Sequence, residues 1–237
     1  MTAPRIRSYV LRQARMSPLQ QRSFDTLYDT YSLPLAQRPV DLEDAFSSLR
    51  KRLGVQETGK PREVILEIGF GMGSATVEIA DADRSRDYFG IEVHTPGVGK
   101  VLSEIKRRDL SNLLLIRADA VEVVSGMIPG SSLGGVHIFF PDPWPKKRHH
   151  KRRLVQPDFA RLVGDKIREN GYLYIVTDWE DYAYAMLELL ERIPGIANTS
   201  TGFAPPKPWR PRTRFEEKGL ERSHPIFELF FRRIAQS

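Results

Sequence analysis

Apolar positions recur along the chain with two periods, and the alternation between those periods outlines the fold. Residues 62–71, REVILEIGFG, alternate and then end in glycines, which predicts a strand running into a turn. The following MGSATVEIADAD suits a helix, and DYFGIEVH (87–94) predicts a second short strand. Val98, Val101, Leu102 and Ile105 then recur at i, i+3, i+4 and i+7, one face of an amphipathic helix. LLLIRADA, from Leu113, predicts a third strand with a short helix behind it. GGVHIFFP, from Gly134, is nearly continuous in apolar residues, as expected of a strand covered on both faces. Phe159, Leu162, Val163 and Ile167 give another helical face, which Asn170-Gly171 should close. GYLYIVTDW (171–179) predicts a fifth strand, followed by a helix through Ala183, Met186, Leu187 and Leu190, and IFELFFRR (226–233) predicts a last strand.

Strands alternating with helices predict an α/β fold, a doubly wound, Rossmann-like, mostly parallel sheet over residues 61–237. Residues 1–60 read as a basic, mostly helical leader whose clearest helix is DLEDAFSSLRKRLG. Sheets of this kind bind ligands beyond the carboxyl ends of their strands, where strand order reverses. Glu67, Glu92, Asp119, Asp142 and Asp178 all fall at such ends.

Composition narrows the partner. The 237 residues include no cysteine, which removes disulfides and thiolate chemistry and suits a reducing cytoplasm. No apolar run approaches the ~18 residues of a membrane span, so no membrane association is expected. The formal charge of +6 points to a polyanion, and the basic residues are clustered. Arg5, Arg7, Arg12, Arg15 and Arg22 precede the first acid, Asp25. A second cluster, PDPWPKKRHHKRR (141–153), places six lysines and arginines within eight positions. Either a monomer or a homodimer accommodates this pattern.

Gly69, Gly71 and Gly73 follow the first strand as G-F-G-M-G, a loop that lets backbone approach a ligand and aims a helix N-terminus at it. Two features choose S-adenosyl-L-methionine over a dinucleotide. The spacing is GxGxG, not GxGxxG, and Glu67, two residues before the first glycine, would repel a pyrophosphate but suit an ammonium or sulfonium. Glu92, at the end of the second strand, is placed for ribose hydroxyls, and Asp119 for an adenine amino group. The plain alternative for each is a loop residue or helix cap, and Asp119 in particular suits the N-cap of the helix after it.

In the basic stretch, Pro141 and Pro143 restrict the backbone on both sides of Asp142. Trp144 offers a face for a stacked base, and Lys146, Lys147, Arg148, Lys151, Arg152 and Arg153 offer phosphate contacts. Adjacent His149 and His150 lack carboxylate or cysteine company, so no metal site is expected.

LEIGFGMG, GIEVH, FPDPWPKKRHHKRRL, TDW and TRFE together resemble the bacterial tRNA (guanine-N7-)-methyltransferase family over residues 62–233. The resemblance implies a class I, S-adenosyl-L-methionine-dependent fold that methylates a guanine in the variable loop of tRNA. It implies cofactor contacts from Glu67, Glu92, Asp119 and Asp142, with Asp142 the catalytic candidate. It implies substrate contacts from Lys146, Asp178, Thr213, Arg214, Phe215 and Glu216, and RNA contacts from Arg148, His149, His150, Lys151, Arg152 and Arg153. Pro145, between Trp144 and Lys146, departs from the family's pattern and bears on the stiffness of the corner. The alternatives are an RNA methyltransferase acting on an exocyclic amino group (adenine N6 or guanine N2), an oxidoreductase on the same sheet, and a non-catalytic RNA-binding module. The first uses a D-P-P-aromatic corner, one proline more than D-P-W, and loses a proton that needs an acceptor.

Overall fold

A computed structural model describes residues 7–10, 15–56, 59–212, 216 and 225–235. In chain order the elements are α1 (Pro18–Tyr31), α2 (Leu42–Arg52), β1 (Val64–Ile68), α3 (Ser74–Ala82), β2 (Asp87–Ile91), α4 (Thr95–Arg108), β3 (Leu113–Ile116) and α5 (Ala120–Gly126). They continue with β4 (Leu133–Phe139), a 3-10 turn (Lys147–Arg152), α6 (Pro157–Lys166), β5 (Ile167–Thr177), α7 (Glu180–Leu190), β6 (Ile196–Asn198) and β7 (Phe227–Arg233). The strands form one sheet in the order β3-β2-β1-β4-β5-β7-β6. The first five run parallel, while β7 lies antiparallel between β5 and β6. Strand order reverses between β1 and β4, so the switch point opens between their carboxyl ends.

The apolar periodicities become the core. Val98, Val101, Leu102 and Ile105 of α4 are fully buried, and every residue of β1 through β4 is buried. At roughly 25 cal/mol per Å², such two-sided burial is the main favourable contribution to the fold. The leader joins the same core. Ser17 caps α1 with a capping box completed by Gln20, whose amide donates to the Pro96 carbonyl at 3.2 Å. Phe46 and Leu49 of α2 are fully buried in the cluster that covers the sheet, and Arg50 pairs with Asp87 of β2 at 2.8 Å. No helix among the described residues is long and apolar enough to cross a membrane.

Two details differ from the sequence expectation. Asn170-Gly171 does not close α6, which ends at Lys166. Ile167, fully buried, already pairs with Leu133, and Gly135 next pairs with Tyr172. Arg168, Glu169 and Asn170 therefore loop into solvent as a bulge within β5, with Asn170 left-handed at φ 62°. The three-residue β6 carries no periodic signal of its own and exists through its pairing with β7.

A buried polar network fastens the segment before β7. Arg210 donates to both oxygens of Glu216 at 2.7 Å and to Glu228 at 3.0 Å, and its Nε donates to the Tyr174 hydroxyl at 3.0 Å. The Tyr174 hydroxyl in turn donates to Glu228. All four side chains are buried. Removing the guanidinium strands two carboxylates in the interior, so Arg210→Ala should lower unfolding free energy by about 3–5 kcal/mol in urea titration.

Candidate functional site

Strand β1 leaves the sheet through glycine for a local reason. Gly69 and Gly71 adopt left-handed φ of 76° and 56°, and a Cβ built on either would point into open space. That space is a cleft of about 670 Å³ at the switch point. Its floor is Ile68, Ile91 and Phe139, from the ends of β1, β2 and β4, and its polar groups include Glu92 and Asp142. Gly73 stands apart from the cleft lining: it is the N-cap residue of α3, and a Cβ there would meet Val101 at 2.0 Å.

Glu92 organises the loop. One oxygen accepts from Gly71 N at 2.6 Å, and the other accepts from Val93 N at 2.7 Å and His94 N at 2.9 Å. A carboxylate has about four lone-pair sites, and these backbone amides take three of them. Glu67 sits deeper. It pairs in register with Gly90 and His137, is 5% exposed and does not line the cleft. Burial pushes its carboxyl up to about 7, with the Thr76 hydroxyl pulling down and Glu92 adding to the rise. Asp119 caps α5 by accepting from Val121 N at 2.8 Å, while its neighbours Ala118 and Ala120 line the cleft.

The exit from β4 is the strained part of the site. Phe140 and Trp144 are left-handed, at φ 51° and 46°, on either side of the Pro141-Asp142-Pro143 corner. Such non-glycine residues cost on the order of 1–3 kcal/mol each, so other contacts must hold the corner. Phe140 N donates to Val176 O at 2.7 Å, Arg153 Nε to Pro143 O at 2.8 Å, and Trp144 Nε1 to Ser8 O at 3.0 Å. Asp142 is exposed at the cleft rim, and half-buried Asp178 leaves the adjacent strand β5.

The basic stretch divides into two groups. Lys146, Lys147, Arg148 and Lys151 are exposed, and His149 and His150 are half-exposed along the 3-10 turn. Arg152 and Arg153 turn inward. The Arg152 guanidinium lies 4.1 Å from the Trp144 ring centroid and donates to Arg7 O at 3.3 Å. One face of Trp144 is thus covered by a cation, where the sequence suggests a stacking platform for a base. Arg153 is buried, donates to Asp181 at 2.5 Å and holds that carboxyl below the usual range. Glu216 is taken up by Arg210, and Thr213, Arg214 and Phe215 lie outside the described residues. No group of three or more His, Asp or Glu suited to a metal ion occurs among the described residues.

Ser8, Tyr9 and Val10 of the leader also line the cleft, although nothing in the sequence marks them. The Ser8 carbonyl accepts from Trp144, and a carbonyl leaves no residue-type signature.

The chain matches methyltransferases in sequence and in fold. A family described as "Putative methyltransferase" matches residues 61–229. The chain is similar to the tRNA (guanine-N(7)-)-methyltransferase of Neisseria meningitidis serogroup C, 47% identical over 97% of this chain and 91% of that one. It is 44% identical to the enzyme of that name from Nitrosomonas eutropha, over 98% of both chains. Among solved structures, the 16S rRNA methyltransferase KamB shares the fold at TM-score 0.56 and 15% identity, covering 84% of this chain and 96% of that one. The antibiotic-resistance methyltransferase Kmr does so at TM-score 0.52 and 13% identity, over 81% and 94%.

The burial of Glu67 has a measurable signature. Its folded pKa lies above its unfolded value near 4.5, so the native state holds the proton more tightly between about 4.5 and 7. Stability from this group is present at low pH and is lost as pH rises toward 7. Glu67→Gln should remove that slope, gaining about 2 kcal/mol relative to wild type between pH 5 and pH 8 in urea unfolding of the ligand-free protein.

Proposed function

The chain belongs to the tRNA (guanine-N(7)-)-methyltransferase family, and from that premise we infer that it transfers a methyl group from S-adenosyl-L-methionine to N7 of a guanine in the variable loop of tRNA. The observation that carries this reading is the position of Asp142. It shares a cleft with Gly69, Gly71 and Glu92, and four residues later the exposed cations begin.

The residues present fit the cofactor. The cleft volume of about 670 Å³ lies within the ~300–1,000 Å³ usual for such ligands. Apolar side chains of β1, β2 and β4 floor it, its charged lining includes the carboxylates of Glu92 and Asp142, and the missing Cβ atoms of Gly69 and Gly71 leave room for close approach. Bound S-adenosyl-L-methionine supplies an electrophilic methyl on a sulfonium. The remaining acceptor site of Glu92 suits a ribose hydroxyl, and Asp119 suits an adenine amino group from its place at the α5 cap. Glu67 adds negative potential from beneath the loop when ionised. Gly73 contributes by packing α3 on α4.

N7 of guanine carries a free lone pair on the major-groove edge, so it attacks without losing a proton and no general base is required. Catalysis then rests on alignment, and on carboxylates near the purine as positive charge passes onto it. Asp142 and Asp178 follow neighbouring strands, and in this reading they would accept from guanine N1–H and N2–H and so reject adenine. Lys146, Arg148, His149, His150 and Lys151 would meet the RNA backbone, with Arg152 behind them. Thr213, Arg214 and Phe215 would complete the substrate site as the family resemblance implies. Glu216 would act through its grip on Arg210. With tRNA as its substrate, the enzyme would work in the cytoplasm.

Unmodified tRNA, incubated with labelled cofactor and mapped by nuclease digestion and mass spectrometry, should carry the methyl on N7 of a variable-loop guanine. A methyl on an exocyclic nitrogen overturns the reading. Asp142→Asn should lower turnover by about 10²-fold at saturating cofactor and tRNA, in line with the loss of one preorganised electrostatic contact; turnover at the wild-type rate would refute a need for its charge.

A further inference from the structure

Arg153 falls in the cationic run that the sequence assigns to RNA, yet its surroundings are those of an interior residue. Its side chain is 6% exposed. Nε donates to the Pro143 carbonyl at 2.8 Å, and Nη2 donates to Asp181 of α7 at 2.5 Å and lies 3.1 Å from His150 Nε2. Its guanidinium stacks 4.6 Å from the Tyr182 ring centroid. Tyr182 is itself fixed, since its buried hydroxyl accepts from Val155 N at 3.0 Å. These contacts join the corner after β4 to the first turn of α7.

We propose that Arg153 is a positioning residue for methyl transfer: it clamps the Pro141–Trp144 corner to α7 and thereby fixes the Asp142 carboxylate at the cleft, and it does not contact phosphate. The inference rests on the role given to Asp142 above. Proline nitrogens offer no hydrogen to anchor this corner, and two left-handed side-chain-bearing residues bias it away from its observed shape. The donor to the Pro143 carbonyl acts one residue from Asp142. Arginine suits the task because a planar fork reaches a carbonyl and a carboxylate together while its face rests on an aromatic ring. A lysine ammonium cannot keep all three contacts. Arg148, exposed on the same turn, supplies the contrasting behaviour of a phosphate contact.

Methyl transfer to unmodified tRNA, measured across a salt titration, separates the two roles. Arg153→Lys keeps the charge and should lower kcat by about 10²-fold, the cost of a small misplacement, with the tRNA KM and its salt dependence unchanged. Arg148→Ala should instead raise the tRNA KM and reduce the salt slope by about one. Asp181→Asn, at an exposed carboxylate, should lower kcat less than Arg153→Lys does, with the salt slope again unchanged. Arg153→Lys with wild-type kcat, or Arg153→Gln with a raised KM, retained kcat and a salt slope reduced by about one, overturns the clamp. If the Arg153 variants fail to fold, Asp181→Asn decides: a kcat loss at constant slope supports the clamp, and wild-type behaviour throughout overturns it. Failure of the underlying reading looks different. Wild-type enzyme would then leave N7 unmethylated, or Asp142→Asn would turn over at the wild-type rate, whatever Arg153 variants do.

Discussion

One carboxylate holds the ligand-facing edge of the sheet together. Glu92 receives three backbone amides, one from the loop after β1 and two from the chain after β2. Buried amides must find acceptors, and an ionised oxygen is the strongest available here. The glycine loop can therefore stay open, with its left-handed residues facing the cleft, because its amide is already satisfied from the side. Without Glu92, Gly71 N would have to seek another partner, and folding the loop inward would fill the space that a ligand needs.

The opposite wall follows another logic. Strand β4 ends in prolines and left-handed residues, a conformation that local preference disfavours, and hydrogen bonds in three directions keep it: Arg153 donates to the Pro143 carbonyl, the Trp144 indole donates to Ser8, and Phe140 N donates to the Val176 carbonyl of β5. Charge is sorted along the same corner. Carboxylates lie toward the cleft, where a cation is to be held, and exposed lysines and arginines lie outward, where a polyanion is to be held. The reacting base would enter between these two fields, and the short distance from Asp142 to Lys146 along the chain makes that boundary abrupt.

Much of this was legible in the sequence because two-sided burial writes itself as periodicity. The α4 stripe and the apolar run of β4 are direct records of the layers that cover them. The acids at the strand ends were legible for the same reason, since a parallel sheet brings those ends together. What stayed hidden depends on tertiary neighbours. Arg148 and Arg153 are the same residue type five positions apart, yet one meets solvent and the other Tyr182. Glu67 and Glu92 are both acids at strand ends, yet burial raises the carboxyl of the first to about 7 while the second accepts three backbone amides. The leader is tied to the corner through the Arg7 and Ser8 carbonyl oxygens, which every residue possesses. Asp119 does cap its helix, the plainer of its two readings, and a cap is compatible with facing a ligand.

The placement of the tryptophans gives the molecule an optical handle. Of three in the chain, Trp144 lies in the cleft wall beneath a guanidinium, Trp179 is partly exposed directly after Asp178, and Trp209 stacks on buried His137. Indole emission shifts with local polarity and is quenched by nearby charge, so filling the cleft changes the light from Trp144 first. The intrinsic fluorescence of the unlabelled protein can thus follow occupancy of its own active face in real time.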